Sequence, residues 1–445
     1  MPLSRLEAAL AGAVVAVLAA IIASHRHRRR RPLRCHLDLE ERVDRRGMHA
    51  VKHELLPSLP AFAADVLQLW VADMEFACAP HIVGAITARS THPTFGYTFQ
   101  PRLIWQQAAC WLVEHQGWPH APPPDAFVFS ASVVASFAHA LRALTTEGAA
   151  VVVMVPAYAP LLDCIVGTGR RLITHPLRRC GASLEMDLPA LRQTLERERA
   201  SVLLLINPHN PGGRVWSRDE LGELAAICAA LGVLVISDEV WGDWCLGPRP
   251  LTPFAAVGAA CPHLTLNAPT KSFNLAGLHC SYCIIEDREL MRRYRAYVEP
   301  ATLHFGGTFA SVALLAAYDA PDRSAAWLDE ARAYVRANAE WFTAYALVHL
   351  PGVVPISPLE ATYLLWLDCA GLMRTHGLAG ADALAAFCLE RAQLHLSPGC
   401  EFDPTGASDS CMRINLACPR ALVEEAAERL RHAIASPRVA VLQCA

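Results

Sequence analysis

The chain has 445 residues, 53% hydrophobic and 18% charged, so it can bury a large core and is neither disordered nor fibrous. Its length alone implies two or three domain-sized units. Lys and Arg number 39 against 42 Asp and Glu, and the resulting charge of -3 argues against a dedicated nucleic-acid binder, which carries a basic excess.

From the N-terminus, Ala8 to Ala23 form sixteen uncharged, mostly apolar residues, followed by the basic run His25 to Arg31. As a helix the apolar run spans roughly 24 Å, somewhat short of a hydrocarbon core of about 30 Å. A cleaved secretory signal carries its positive charges before the apolar stretch, whereas here they follow it. Residues 8–24 therefore read as a single-pass membrane tether. The positive-inside rule then places a membrane-anchored catalytic domain facing the cytoplasm. An organelle-targeted soluble enzyme is the alternative, although Glu7 and the lack of amphipathic spacing count against it. Residues 1–32 lie outside the fold argument on either reading.

Sixteen cysteines are scattered from Cys35 to Cys444, many inside apolar runs, where Cys behaves as a small hydrophobe. The closest pair, Cys280 and Cys283, falls in the apolar stretch Cys280–Ile285 and reads as part of a buried strand rather than a redox or metal site. No metal site is expected.

The middle of the chain alternates strand and helix. Apolar runs at Ala149–Pro156, Ser201–Asn207, Val233–Asp238 and His263–Asn267 lack the two-residue alternation of a half-exposed strand, so a mostly parallel sheet covered on both faces is expected. Ser217 and Glu220 form a capping box, Leu221, Leu224, Ala225, Cys228 and Leu231 make one apolar face, and Gly232 stops the helix. A second helix is expected over Ser136–Leu144, and a long linking helix over Ser324–Leu347. In open α/β sheets ligands sit beyond the carboxyl ends of the strands. Reading those ends yields Asn210, Asp238 and Lys271. A buried lysine can attack a carbonyl, a carboxylate can keep a pyridine nitrogen protonated, and an amide can donate to a ring oxygen. Singly each has an ordinary structural explanation; together they are chemically specific.

The stretches Asn207–Gly213 (NPHNPGG), Ser237–Val240 (SDEV) and Ala268–Gly277 (APTKSFNLAG) resemble the class I/II pyridoxal-phosphate-dependent aminotransferase family of fold type I. Trp70–Phe76 (WVADMEF), Phe95–Tyr97 (FGY), Ala361–Asp368 (ATYLLWLD) and Met412–Arg420 (MRINLACPR) are similar to its MalY/PatB-like cystathionine β-lyase branch. The resemblance is collinear over about residues 35 to 435. It implies an α/β fold in which a large domain, 80–315, carries a mostly parallel seven-stranded sheet covered by helices. A smaller α+β domain is then built from 33–79 and 316–435.

It also implies pyridoxal 5'-phosphate as cofactor, an amino-acid substrate and a homodimer with shared active sites. Lys271 would hold the cofactor covalently and then shuttle the substrate Cα proton. Asp238 would pair with the ring nitrogen, Asn210 with the ring oxygen, and Tyr158 would stack on the ring. Ser132, Val133 and Val134 at a helix start would cradle the phosphate. Arg413 and Tyr363 would bind substrate, Arg413 forking onto its carboxylate. Tyr97 would reach the neighbouring subunit's cofactor or substrate.

Departures from the family are Trp241 where Tyr or His is usual, His279 where many aminotransferases have Arg, Gly212 for Thr, and Glu75 for Asp. The leading expectation is a carbon–sulfur β-lyase that cleaves cystathionine or a related cysteine S-conjugate to thiol, pyruvate and ammonia. A class I/II aminotransferase is the alternative, and a non-catalytic cofactor-binding scaffold stands third.

Overall fold

A computed structural model of the chain describes residues 38–54, 65–181, 183–258, 260–355 and 359–436. Helix α1 (Arg102–His115) precedes a strand–helix alternation: β1 (Phe127–Ser130), α2 (Val133–Leu144), β2 (Ala150–Val155), α3 (Ala159–Gly167), β3 (Arg171–Pro176) and β4 (Val202–Ile206). It continues with α4 (Arg218–Leu231), β5 (Leu234–Asp238), β6 (His263–Asn267) and β7 (Ser281–Ile284). These strands form the expected seven-stranded sheet, in the order β1-β7-β6-β5-β4-β2-β3. All neighbours are parallel except the two that flank β7.

The apolar runs lack alternation because both faces of the sheet are covered. Val152, Leu203, Leu205 and Val235 pack with Leu221 and Leu224 of α4. Their neighbours Val151, Val153, Leu204 and Ile236 point the other way, onto Phe137 and Leu141 of α2. The capping box at Ser217 is complete: Ser217 Oγ accepts from the Glu220 amide at 3.1 Å, and Glu220 Oε2 accepts from the Ser217 amide at 2.7 Å. Helix α2 starts three residues before its expected first residue, since Ser132 is its cap and accepts from the Ala135 amide. Cys283 lies in β7 with Cys280 just before it; both are fully buried, and burial pushes the Cys280 thiol up to about 12.

A long helix, α5 (Pro321–His349), leads to a second sheet of β8 (Val354–Pro355), β9 (Leu364–Asp368), β10 (Ser397–Pro398) and β11 (Cys411–Asn415), ordered β8-β9-β11-β10. Leu365, Leu367, Met412 and Ile414 pack against Phe342 and Ala346 of α5 and against Val423 and Leu430 of α6 (Arg420–Ala435).

The membrane expectation requires correction. Residues 8–24 lie outside the described residues, and among the described residues no helix is long and apolar enough to cross a membrane. The longest, α5, is interrupted by charged residues throughout, and the sixteen-residue apolar run falls short of a bilayer core in length. Neither a transmembrane segment nor a membrane-anchored catalytic domain is retained.

Candidate active site

The register Ile206 to Asp238 to Leu266 brings the carboxyl ends of β4, β5 and β6 level. A cavity of about 160 Å³ opens there. Lys271, Asp238, Asn210, Tyr158 and Trp241 line it together with Ser132, Val133 and Val134, so the expected cofactor residues other than Tyr97 meet in one place. His279 and Thr270 complete the same wall.

Burial sets the electrostatics. It pushes the Asp238 carboxyl up to about 7, against the Val240 amide, which donates to Oδ1 at 3.1 Å, and against the Lys271 charge. It pulls the Lys271 ammonium down to about 8, a shift opposed by Asp73 and Asp238 and reinforced by Arg413. A lysine and a carboxylate displaced toward each other's range in one cavity are typical of functional sites. Lys271 Nζ donates to the Ala72 carbonyl at 2.7 Å and sits 5.7 Å from the centre of the Trp241 ring.

Arg413, on β11, is buried behind this wall. Its Nη1 donates to Asn210 Oδ1 at 3.1 Å, and its Nη2 donates to the Trp70 carbonyl at 2.9 Å and to Ser397 Oγ at 3.3 Å. Burial pulls the guanidinium down to about 10, and Nε is buried without a hydrogen-bond partner. Tyr363 is also buried, and its hydroxyl donates to the Ala72 carbonyl at 3.0 Å rather than lining the cavity. Trp241 packs edge-on against the Tyr363 ring, with centroids 4.7 Å apart. Tyr97 is apart from the cavity and fully exposed, in an irregular segment that also exposes Phe95 and Phe99.

Sequence reasoning marked Trp70–Phe76 as a motif without assigning it work. The structure makes it a strap whose carbonyls hold the site. Val71 and Asp73 carbonyls accept from Asn415, those of Met74 and Phe76 from Asn274, and that of Ala72 from both Lys271 and Tyr363. These contacts run through main-chain atoms, the Met74 amide also donating to Asn274 Oδ1 at 3.0 Å, so side-chain patterns carry no signal of them. Glu75 anchors the strap's far end: burial pushes its carboxyl up, but Lys52 at 2.6 Å, His53 and Arg45 override this and bring it to about 2. At Gly212 a side chain would meet His209 Nδ1 at 2.7 Å and Leu184 Cδ1 at 2.8 Å, which explains glycine where threonine is usual.

Residues 81–430 match the sequence profile of the aminotransferase class I and II family. The chain is 33% identical over 401 residues to "Cystathionine beta-lyase PatB" of Bacillus subtilis, covering 89% of this chain and 100% of that protein. It is 29% identical over 402 residues to "Protein MalY" of Escherichia coli, with 90% and 100% covered. Among solved structures, cystalysin of Treponema denticola, which contains pyridoxal 5'-phosphate, superimposes with a TM-score of 0.81 at 26% identity over 89% of this chain and 98% of its own. Both curated relatives are matched over their whole length, so the rest of this chain has no counterpart in them.

Proposed function

The chain belongs to the aminotransferase class I and II family, and from that premise we propose that it is a pyridoxal-phosphate-dependent carbon–sulfur β-lyase. Its substrate is cystathionine or a related cysteine S-conjugate, and its products are a thiol, pyruvate and ammonia. The observation that carries this reading is the single cavity gathering Lys271, Asp238, Asn210 and the start of α2. The full-length likeness to a cystathionine β-lyase favours elimination over transamination.

The residues present fit the cofactor. The Val133 and Val134 amides precede the first intrahelical bond, from Ser136 to Ser132, and are free to hold a phosphate at the positive end of α2. Asn210 spends its oxygen on Arg413, which leaves its amide nitrogen as a donor toward a ring oxygen. One Asp238 oxygen is bonded to Val240, and the other remains for a ring nitrogen. A buried carboxylate raised to about 7 gains most from a cationic partner. Tyr158, which lines the same cavity, would cover the ring face.

When bound, pyridoxal phosphate supplies a carbonyl carbon for amine capture and an electron-withdrawing ring. The protein's own groups do the rest. Lys271 Nζ, neutral in good part near pH 8, takes the Cα proton. Asp238 would hold the proton on the ring nitrogen, and Arg413 would orient the substrate carboxylate. With a thioether sulfur on Cβ, the Cα electron pair forms a Cα–Cβ double bond as the Cβ–S bond breaks, its pair leaves on sulfur as a thiolate that is protonated to the thiol, and the three-carbon enamine hydrolyses to pyruvate and ammonia. Trp241 differs from the usual Tyr or His in offering an N–H donor and no acceptor.

The full-length holoenzyme given cystathionine without any oxo acid is expected to release pyruvate and thiol over many equivalents. Arrest after one equivalent per site would instead establish an aminotransferase.

The active form is a homodimer in which Tyr97 reaches the neighbouring site. Phe95, Tyr97, Phe99 and Phe305 expose their rings, a concentration of aromatic surface that water does not favour. Sedimentation of the holoenzyme is expected to give twice the chain mass; a monomer with full activity would refute the shared site.

A further inference from the structure

Lys271 needs more than a chemical environment: its backbone must stay in register with Asp238 at the end of β5 and with the turn that follows, where Trp241 sits. The groups that keep that register lie outside the cavity. Asp243, buried at 2% exposure, accepts three side-chain hydrogen bonds. Its Oδ1 accepts from Trp111 Nε1 at 3.0 Å and from Gln116 Nε2 at 2.8 Å. Its Oδ2 accepts from Ser272 Oγ at 2.5 Å. Ser272 is the residue after Lys271. One position on from Asp243, Trp244 Nε1 donates to the Lys271 carbonyl itself at 2.7 Å.

Two adjacent residues thus hold the Lys271 carbonyl and the Ser272 hydroxyl, the groups that follow and flank the lysine's Cα in the chain. The turn is itself fixed. Arg332 Nη1 donates to the Asp243 carbonyl at 2.9 Å, and the Trp244 carbonyl accepts from the Thr362 amide. Gln116 Oε1 accepts from Asn267 Nδ2, the last residue of β6, at 2.8 Å. A side chain on Gly242 would meet Gln116 Oε1 at 2.9 Å, so this approach requires glycine.

We propose that Asp243, acting with Trp244 and Ser272, is the positioning residue for Lys271, clamping the lysine to the turn that bears Trp241 and follows Asp238. The inference rests on the reading of Lys271 as the proton-transferring amine, and not on whether a thiol is eliminated. Asp243 touches neither cofactor nor substrate. A carboxylate suits the place because all three facing groups are donors. An amide there would keep a single accepting oxygen and would have to turn the Ser272 hydroxyl from donor to acceptor. Hydrogen bonds to a charged acceptor are also shorter and stiffer than neutral ones.

The test compares Ser272→Ala, Trp244→Phe and Asp243→Asn with the wild-type holoenzyme. Cofactor attachment is read as the borohydride-trapped mass increment. Proton transfer is read by NMR as exchange of the Cα hydrogen of L-alanine in deuterium oxide, a substrate with no leaving group. Displacement of the amine by a fraction of an ångström is expected to slow exchange and kcat by roughly 10- to 100-fold, with trapped cofactor and KM held within about twofold. Ser272→Thr, which restores the hydroxyl, is expected to recover the rate. Should Asp243→Asn fail to fold, Ser272→Ala decides the matter, since it removes one oxygen.

Exchange within about threefold of wild type in Ser272→Ala and Trp244→Phe would overturn the proposal. So would a loss that merely tracks cofactor content or thermal stability. If wild-type protein exchanges the Cα hydrogen but releases no thiol, the lyase reading fails while this test stands.

Discussion

Replacing Lys271 by alanine is expected to lower turnover by roughly 10⁴-fold or more, because on the proposed mechanism it removes both the nucleophile and the base. No other lysine can take over. The whole chain contains two lysines, and the second, Lys52, is fully buried and tied to Glu75 at 2.6 Å and Asp73 at 3.4 Å. Borohydride reduction of the wild-type holoenzyme should therefore attach the cofactor to one peptide, and the variant should carry none. A trapped cofactor on the variant, or turnover within about tenfold of wild type, would sink the assignment.

The pH dependence has a defined sign. With its folded value near 8, the amine gains its neutral, proton-accepting form as pH rises through 8, so the base-dependent rate should climb there. The stability cost of the buried ammonium runs oppositely: it is absent above the unfolded value of 10.5, grows as pH falls, and is complete below about 8. The site is thus built at the expense of stability, a cost met by packing elsewhere.

Side-chain chemistry at strand ends was legible in the sequence because a parallel sheet forces it. Strands buried on both faces must be continuous apolar runs, and their ends must then cluster on one rim. That logic reaches Asn210, Asp238 and Lys271 before any coordinates, and the structure sets all three around one cavity. What stayed hidden obeys a different rule. The Ala72 carbonyl that receives both Lys271 and Tyr363 is a main-chain atom on a strap nearly two hundred residues away, at |i−j| = 199. Asp243 belongs to no motif in the sequence, since its donors come from positions 111, 116 and 272. Ser132 was legible as part of a helix start, with the helix itself expected only from Ser136; the structure makes it the cap, its Oγ accepting from the Ala135 amide. The N-terminal apolar run misled for a related reason: hydropathy reports what a segment tolerates and leaves its destination open.

Replacing Arg413 by alanine is expected to lower kcat/KM by roughly 10²- to 10³-fold, the loss typical of removing one partner of a buried charge pair. The argument starts from confinement. Arg413 is 4% exposed, so no solvent-held cation can substitute, and its guanidinium is aimed by Asn210, the Trp70 carbonyl and Ser397. Lysine would not serve either, since a single ammonium on a flexible stem cannot span Asn210 and Trp70 while presenting a fork to a carboxylate. Carboxylate binding is the same before and during proton transfer, so most of the loss should fall on KM. A decarboxylated cysteamine S-conjugate separates this role from a structural one. It should be a poor substrate for the wild type, and its rate should be nearly indifferent to the Arg413 substitution, because the interaction is already absent. An equal loss with both substrates would mean that Arg413 acts only by holding Asn210 and the strap, and that the substrate carboxylate is bound elsewhere.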